Sequence, residues 1–288
     1  MIGWLIYRKE DAIVNYSYIQ WFKQEAEKQQ LCLKLVHDEQ LTIQMETNGS
    51  SLKIEGHIVD KPDFVIIRKM GTLLQKQFEA MKITTFNNAE TAEICNHKVL
   101  TYLEMQKIKI SMMPTVFIST VTPPEKPPFN YPFILKSATG HGGTNVYWID
   151  NEDKWKQILK TAITADYIAQ SCKDIQTGKD VRVFVIGQQI IAAVLRTNDN
   201  DFRANFKLGG KASLFELTPT MEATIKKIIN HFNFGMVGID FLLHNNGNLV
   251  FNEIEDVVGS RILSATSNIN LLEKYITHIK QTMETVRK

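Results

Sequence analysis

The sequence predicts an α/β protein of mixed α+β character, on three observations. Near its start, apolar runs at residues 2–7 and 31–36 bracket a helical stretch, Tyr18–Gln30, with Trp21, Phe22 and Ala26 on one side. Strand–helix–strand order with continuously apolar strands indicates a parallel unit buried on both faces. Further on, Pro114–Pro132 holds six of the eight prolines, which marks a stiff connection and a domain boundary. Beyond it the pattern changes to hairpins and amphipathic helices.

In chain order, Phe64–Ile67 adds a short buried strand after Pro62. No Gly-x-Gly-x-x-Gly follows the first strand, which disfavours a dinucleotide fold. Arg68 and Lys69 stand just past Ile67, where open α/β sheets place ligands; simple solvation is the other reading. Asn88–Met105 reads as one helix carrying Lys98, with Asn88 or Thr91 as cap and Ile94, Leu100 and Leu103 on its apolar stripe. After the prolines, two strand-like runs, one ending at Lys136 and one at Val146–Ile149, flank the loop Gly140-His-Gly142-Gly143. The loop lacks Gly-Lys-Ser/Thr and is not a P-loop, yet backbone N–H groups beside a lysine can cradle phosphate. A plain turn is the alternative.

Residues 152–165 read as a helix and Tyr167–Gln170 as a strand. Asp180–Gly187 and Ile190–Arg196 form an alternating hairpin with Asp180 and Arg182 on one face. A polar loop, 201–210, contains Arg203, Asn205 and Lys207. Arg182, Arg196, Arg203 and Lys207 would repel one another unless an anion sits among them, or unless the loop is simply solvated. Thr220–Phe232 is an amphipathic helix, and so is Asn270–Met283, with Leu272, Tyr275, Ile276 and Ile279 inward.

The stretch Gly238–Glu255 concentrates the charge. Two apolar runs flank Asn246-Gly247, the strongest short signal for a two-residue hairpin turn. That turn sets Asp240 opposite Glu253, with Glu255, Phe251 and Leu242 on the same face. Like charges so opposed destabilise a sheet, and the hairpin holds no basic residue to neutralise them. A divalent cation would relieve the repulsion, and oxygen-only ligands favour Mg²⁺ or Mn²⁺ over zinc. The solvated face of an edge hairpin is the other reading. On the metal reading, changing any of the three carboxylates to an amide should leave the fold intact.

Composition excludes more than it selects. The 288 residues suggest about two domains, or three small ones. A net charge of +2 gives no reason to expect a nucleic-acid or membrane surface. Cys32, Cys95 and Cys172 form no paired motif and suit a reducing compartment. The apolar start turns charged at Arg8, too soon for a signal peptide or membrane span. The expectation is a cytoplasmic protein, with homo-oligomerisation left open.

Taken in order, these motifs resemble the ATP-grasp superfamily. They are a lysine on a helix, a lysine before a glycine-rich loop, Asp-x-Arg, Phe-Arg-x-Asn, then Asp240 and Glu253-x-Glu255. They are most similar to the branch of ribosomal-protein glutamate ligases and amino-acid carrier ligases of lysine biosynthesis. The resemblance implies a pre-grasp α/β domain (1–90), a central subdomain with the glycine-rich loop (91–175) and a C-terminal subdomain with the metal site (176–288). It implies ATP between the last two. Lys98 and Lys136, with Gly140, Gly142 and Gly143, would hold phosphates, Gln170 the adenine edge and Asp180 the ribose. Arg203 and Asn205, with Arg182, would reach the reaction centre, and Asp240, Glu253 and Glu255 would ligate Mg²⁺ or Mn²⁺.

The implied reaction joins a carboxylate to an amine through an acyl phosphate, on an amino acid, peptide or protein. It needs phosphate neutralisation and in-line positioning more than a protein nucleophile. Two departures bear on the substrate. Glu255 stands where the family usually has Asn, and Asp256–Arg261 replaces a small Ala-Ser-Pro-Gly turn. Arg261 could grip a substrate carboxylate or pair with Asp256. A regulatory nucleotide-binding module, or a ligase acting on a non-amino-acid substrate, are the competing readings.

Overall fold

The computed structural model describes residues 1–119, 124–140, 143, 145–161, 166–204 and 209–287. The chain opens with β1 (Ile2–Tyr7), α1 (Lys9–Val14), α2 (Tyr16–Lys28) and β2 (Cys32–His37). An antiparallel meander absent from the expectations follows, β3 (Leu41–Glu46), β4 (Gly49–Ile54) and β5 (His57–Val59). Then β6 (Phe64–Ile67), α3 (Leu73–Ala80) and β7 (Thr84–Phe86) complete a parallel sheet of order β2-β1-β6-β7. This is the expected parallel unit, and its burial explains the continuous apolar strands. Trp4 and Ile6 of β1 join Val65, Ile67 and Phe78 in one apolar cluster, while Leu5 and Tyr7 face another with Phe22, Phe64 and Tyr275. Ahead of β6, the Asp63 carboxylate accepts the Ile2 N–H at 2.6 Å and the Arg287 guanidinium at 2.5 Å.

The single helix expected over Asn88–Met105 is two, α4 (Ala89–Cys95) and α5 (Lys98–Lys107). The Asn88 side chain caps the first, accepting the Thr91 N–H at 2.8 Å, and His97 caps the second. The break at Asn96-His97 re-phases the stripe. Tyr102 and Met105 are buried, whereas Leu100 and Leu103 are 37% and 49% exposed.

The proline segment is not merely a connection, because it contains a strand, β8 (Thr115–Ile118). After β9 (Phe133–Ser137), β10 (Val146–Ile149), α6 (Glu152–Thr161) and β11 (Tyr167–Ser171), an antiparallel sheet of order β10-β9-β11-β8 is complete. Phe133, Leu135 and Trp155 are fully buried beneath it.

The last sheet has order β14-β13-β12-β15-β16. Its strands are β12 (Ile175–Ile186), β13 (Gln189–Thr197), β14 (Lys211–Leu214), β15 (Met236–His244) and β16 (Leu249–Glu255), with α7 (Pro219–His231) between β14 and β15. Helices α8 (Arg261–Thr266) and α9 (Leu271–Val286) follow. Period-two alternation sorts β12 into two faces. Val181, Val183 and Val185 pack on Ile225, Ile228 and Ile229 of α7. The opposite face is divided along its length: Phe184 and Ile186 join Met236 and α9 in the core shared with β1, while Asp180 and Arg182 occupy the other end. The charged half of this face is where the candidate site lies.

Candidate active site

The hairpin β15–β16 does not close by the two-residue turn expected. The His244 N–H donates to the Asn248 carbonyl at 3.0 Å, leaving Asn245, Asn246 and Gly247 as a three-residue loop. Gly247 takes φ +85°, the left-handed conformation such loops require. Near the tip the pairing is therefore displaced by one residue, and Phe241 faces Phe251. A bulge at Asn252 removes the displacement, so Asp240 does face Glu253. The pair was expected for a reason that is only half right. Phe251 shows the difference: it shares the apolar face of Phe241 and is fully buried, instead of lying beside Glu253.

The expectation of unneutralised carboxylates is also corrected, because the neighbouring strands supply cations. Arg182, paired with Asp240 in the ladder, donates to both of its oxygens, Nε to Oδ1 at 2.7 Å and Nη2 to Oδ2 at 2.6 Å. Its Nη1 meets Glu255 at 2.6 Å. Arg196 adds a contact to Asp240 at 2.7 Å and grips Asp180 at 2.5 and 2.7 Å. The arginines thus find their anions inside the protein. Burial works to raise the Asp240 carboxyl, but Arg182 and Arg196 outweigh it and hold it down to about 2. Burial pushes Asp180 above the usual carboxylate range, against the pull of Arg196.

Two lysines from other segments reach β16. Lys136, on β9, is buried and donates to the Asn252 side-chain oxygen at 2.8 Å, with the Tyr102 ring 5.9 Å away. Burial lowers its pKa to about 8, although Glu253 and Asp240 pull the other way. Lys98, at the start of α5, donates to the Gly140 carbonyl and lies 3.4 Å from Glu253. Gln170 is buried and donates to the Tyr102 hydroxyl at 3.0 Å. That hydroxyl donates in turn to the Asn252 carbonyl at 2.8 Å.

Asn252 and Tyr102 were not singled out from sequence. Tyr102 had a signal, being four residues beyond Lys98 on one helix face. Asn252 had none, since strict alternation puts it on the face opposite Glu253 and only the bulge turns it inward.

Arg203 pairs with Asp201 at 2.7 Å and donates to the Gly143 carbonyl at 3.0 Å, tying the polar loop to the glycine-rich one. Asn205, Gly142 and Lys207 lie outside the described residues. Arg68 and Arg261 line an open cleft of about 1020 Å³ together with Lys98, Gly140, Arg182, Arg196, Glu253 and Glu255. Arg261 does not pair with Asp256, whose carboxylate accepts from Asn87 at 2.6 Å and Asn96 at 3.2 Å.

For a divalent cation the donor set is uneven. Among the described residues no group of three or more His, Cys, Asp or Glu side chains is arranged to hold a metal. Both Asp240 oxygens are taken by guanidiniums, and a cation would gain one only by displacing such a contact. Glu253 and Glu255, 28% and 25% exposed at their side chains, face the cleft and fit a hard cation better. Among the described residues no helix is long and apolar enough to cross a membrane.

Comparison with known proteins finds relatives along most of the chain. A glutamate–LysW ligase, ArgX, of Sulfurisphaera tokodaii is 27% identical over 217 residues, covering 70% of this chain and 75% of that protein. A probable alpha-L-glutamate ligase 1 of Shewanella frigidimarina is 25% identical over 276 residues, covering 91% of each. Among solved structures, the ATP-grasp ligase PsnB, complexed with a precursor variant, Mg and ADP, superposes with a TM-score of 0.70. It shares 14% identity, covers 97% of this chain and 98% of its own, and shows a common fold. The model of the RimK-like ATP-grasp domain matches residues 94–279, from the end of α4 into α9 and so through both lysines and all three hairpin carboxylates. The chain therefore belongs to the RimK-like ATP-grasp family, and it is an ATP-dependent carboxylate–amine ligase.

Proposed function

We propose that this ligase activates a substrate carboxylate as an acyl phosphate and then joins it to an amine of an amino acid or peptide. A carboxylate oxygen takes the terminal phosphoryl group of ATP, releasing ADP. The amine attacks the acyl carbon, phosphate leaves, and the amine's proton is lost to solvent or a nearby base. The observation that carries the reading is the convergence of Lys136 and Lys98, from two separate segments, on the adjacent residues Asn252 and Glu253 of β16, with Lys98 and Glu253 lining the cleft. Buried cations fixed in advance stabilise transferring phosphoryl charge without reorganising during the reaction.

On this reading Lys98 and Lys136 neutralise the phosphates, together with Gly140, Gly142 and Gly143. Gln170 serves the adenine and Asp180 the ribose. Arg203, already fixed to the loop through the Gly143 carbonyl, and Asn205 reach the transferring phosphate, while Arg182 orients the carboxylates. Mg²⁺, when bound, supplies charge neutralisation at the phosphates, held by Glu253 and Glu255 and joined by Asp240 if a guanidinium gives way. The pre-grasp, central and C-terminal units at 1–90, 91–175 and 176–288 divide the work into substrate wall, phosphate wall and metal wall. A cytoplasmic setting suits the reading, since it supplies ATP and keeps the cysteines reduced.

Release of ADP and phosphate is the test, measured with a panel of amino acids and dipeptides and followed by mass spectrometry of the product. Turnover that depends on both an acid and an amine, and disappears in Lys136→Met, is the expected result. ATP hydrolysis without any joined product across the panel would remove the amide-forming reading.

A further inference from the structure

The break between α4 and α5 is held from outside the two helices, by Asp256, the residue that follows β16. Asp256 is 6% exposed, and among the described residues no lysine or arginine comes within ion-pair distance of it. Two amides satisfy the carboxylate instead. Asn87 Nδ2 donates to Oδ1 at 2.6 Å, and Asn96 Nδ2 donates to Oδ2 at 3.2 Å. Burial pushes the Asp256 carboxyl up, against both of these hydrogen bonds and the more distant Arg68. Packing alone does not ask for a charge here, since burying one without a cation is costly. What the charge adds is directed strength. A carboxylate can only accept, so both amides must turn their NH₂ groups toward it, and bonds to an ionised acceptor are roughly twice as strong as neutral ones.

The two amides lead to different parts of the site. Asn87 also accepts the Gly235 and Met236 N–H groups and donates to the Met236 carbonyl. Asp256 is thereby moored to the start of β15, the strand that carries Asp240. Asn96 stands two residues before Lys98, whose own N–H donates to the Ala138 carbonyl at 2.8 Å, just beyond β9. The α4–α5 junction therefore meets the end of β16 twice. Asn96 holds Asp256, and Lys98 Nζ lies 3.4 Å from Glu253, three residues earlier. The first contact is buried and fixed, and the second faces the cleft. A lysine reaches its target on a long, rotamer-rich stem, so the placement of its backbone decides where the ammonium can go. Misplacing a group by about 1 Å can cost on the order of 10²-fold in rate.

We propose that Asp256 is a positioning residue: through Asn96 it fixes the start of α5 against β16 and so sets Lys98 beside Glu253 in the cleft. Asp256 and Asn96 leave the nucleotide untouched and act through the lysine. This rests on the ligase reading, in which Lys98 neutralises the ATP phosphates.

The test is calorimetric titration of the full chain with ADP in the presence of Mg²⁺, beside a denaturant titration of each variant. Lys98→Met should weaken ADP at least tenfold. Asn96→Ala should weaken it several-fold in the wild-type background, and by less than twofold once Lys98→Met is present. A tie serving stability alone would weaken both backgrounds equally, and that result would overturn the proposal. Asn96→Asp sets two carboxylates against each other and should weaken ADP further than Asn96→Ala. Adding Asp256→Asn to it exchanges donor and acceptor: the amide at 256 keeps its oxygen for Asn87 and offers its NH₂ to the carboxylate at 96. ADP affinity should then return to within threefold of wild type. Failure of that rescue in the folded double variant would also overturn the proposal, and this arm decides should Asn96→Ala not fold. ADP affinity unchanged in Lys98→Met, or no ADP binding by wild type, would overturn the phosphate role of Lys98 and the positioning with it. That result is distinct from a failure confined to the Asn96 and Asp256 variants.

Discussion

At Lys136, burial has lowered the pKa to about 8, so near neutral pH the side chain is protonated with little margin. Phosphates brought against it favour the charged form and raise that pKa. Nucleotide binding should therefore take up a proton between roughly pH 8 and 9, and affinity should fall as pH rises through that window. Calorimetry in buffers of different ionisation enthalpy reads the uptake directly, and Lys136→Met should abolish it. Asp240 has the opposite sign. Its folded pKa of about 2 lies below an unfolded value near ~3.9, so its contribution is present above pH ~4 and is lost as pH falls toward 2. For Asp240 the expected relief of like-charge repulsion is absent, because Arg182 and Arg196 already neutralise it. Asp240 is 1% exposed and holds two guanidiniums, so Asp240→Asn should destabilise the fold by about 3–5 kcal/mol in denaturant titration. Glu253→Gln, at the cleft wall, should leave the midpoint almost unmoved and abolish turnover. Glu255→Asn should keep activity but need more Mg²⁺, because an amide oxygen can still ligate a hard cation.

At the scale of elements, the hairpin β15–β16 shows what a local signal can and cannot fix. Asn246-Gly247 announced the turn, and counting outward from it placed Asp240 against Glu253. The true loop is one residue longer and the bulge at Asn252 takes up the difference, which no propensity records. Phe251 discriminates between the two registers. Buried edge-on against Phe241 and Tyr102, it should cost about 3–5 kcal/mol when changed to Ala, with nucleotide affinity little altered. A phenylalanine on the cleft face would show the reverse, lost affinity at near-constant stability. The break between α4 and α5 was illegible for a related reason. Asn96 leaves the helix to donate to Asp256, a partner 160 residues away, and periodicity cannot see it.

Across the whole molecule, the ends of the chain build one core. The inward stripe of α9 was legible, but not that Tyr275, Ile276 and Ile279 would pack with Phe22 of α2 and Leu5 of β1. Long-range partnership is not written in local alternation, and the same limit hid the arginines that neutralise Asp240. Ile276→Ala should therefore cost about 2–5 kcal/mol and loosen the amino-terminal sheet along with the helix it sits on. Hydrogen exchange at the amides of β1 and β6 is the measurement; unchanged protection there would separate the two. Asp63 takes this closeness to its limit, holding Ile2 with one oxygen and Arg287 with the other. The first and last described turns of backbone are thus neighbours, and a short Gly-Ser bridge could join them. Opening the chain instead at the exposed Thr47-Asn48 tip, between β3 and β4, would give a circular permutant whose new ends lie on the small meander.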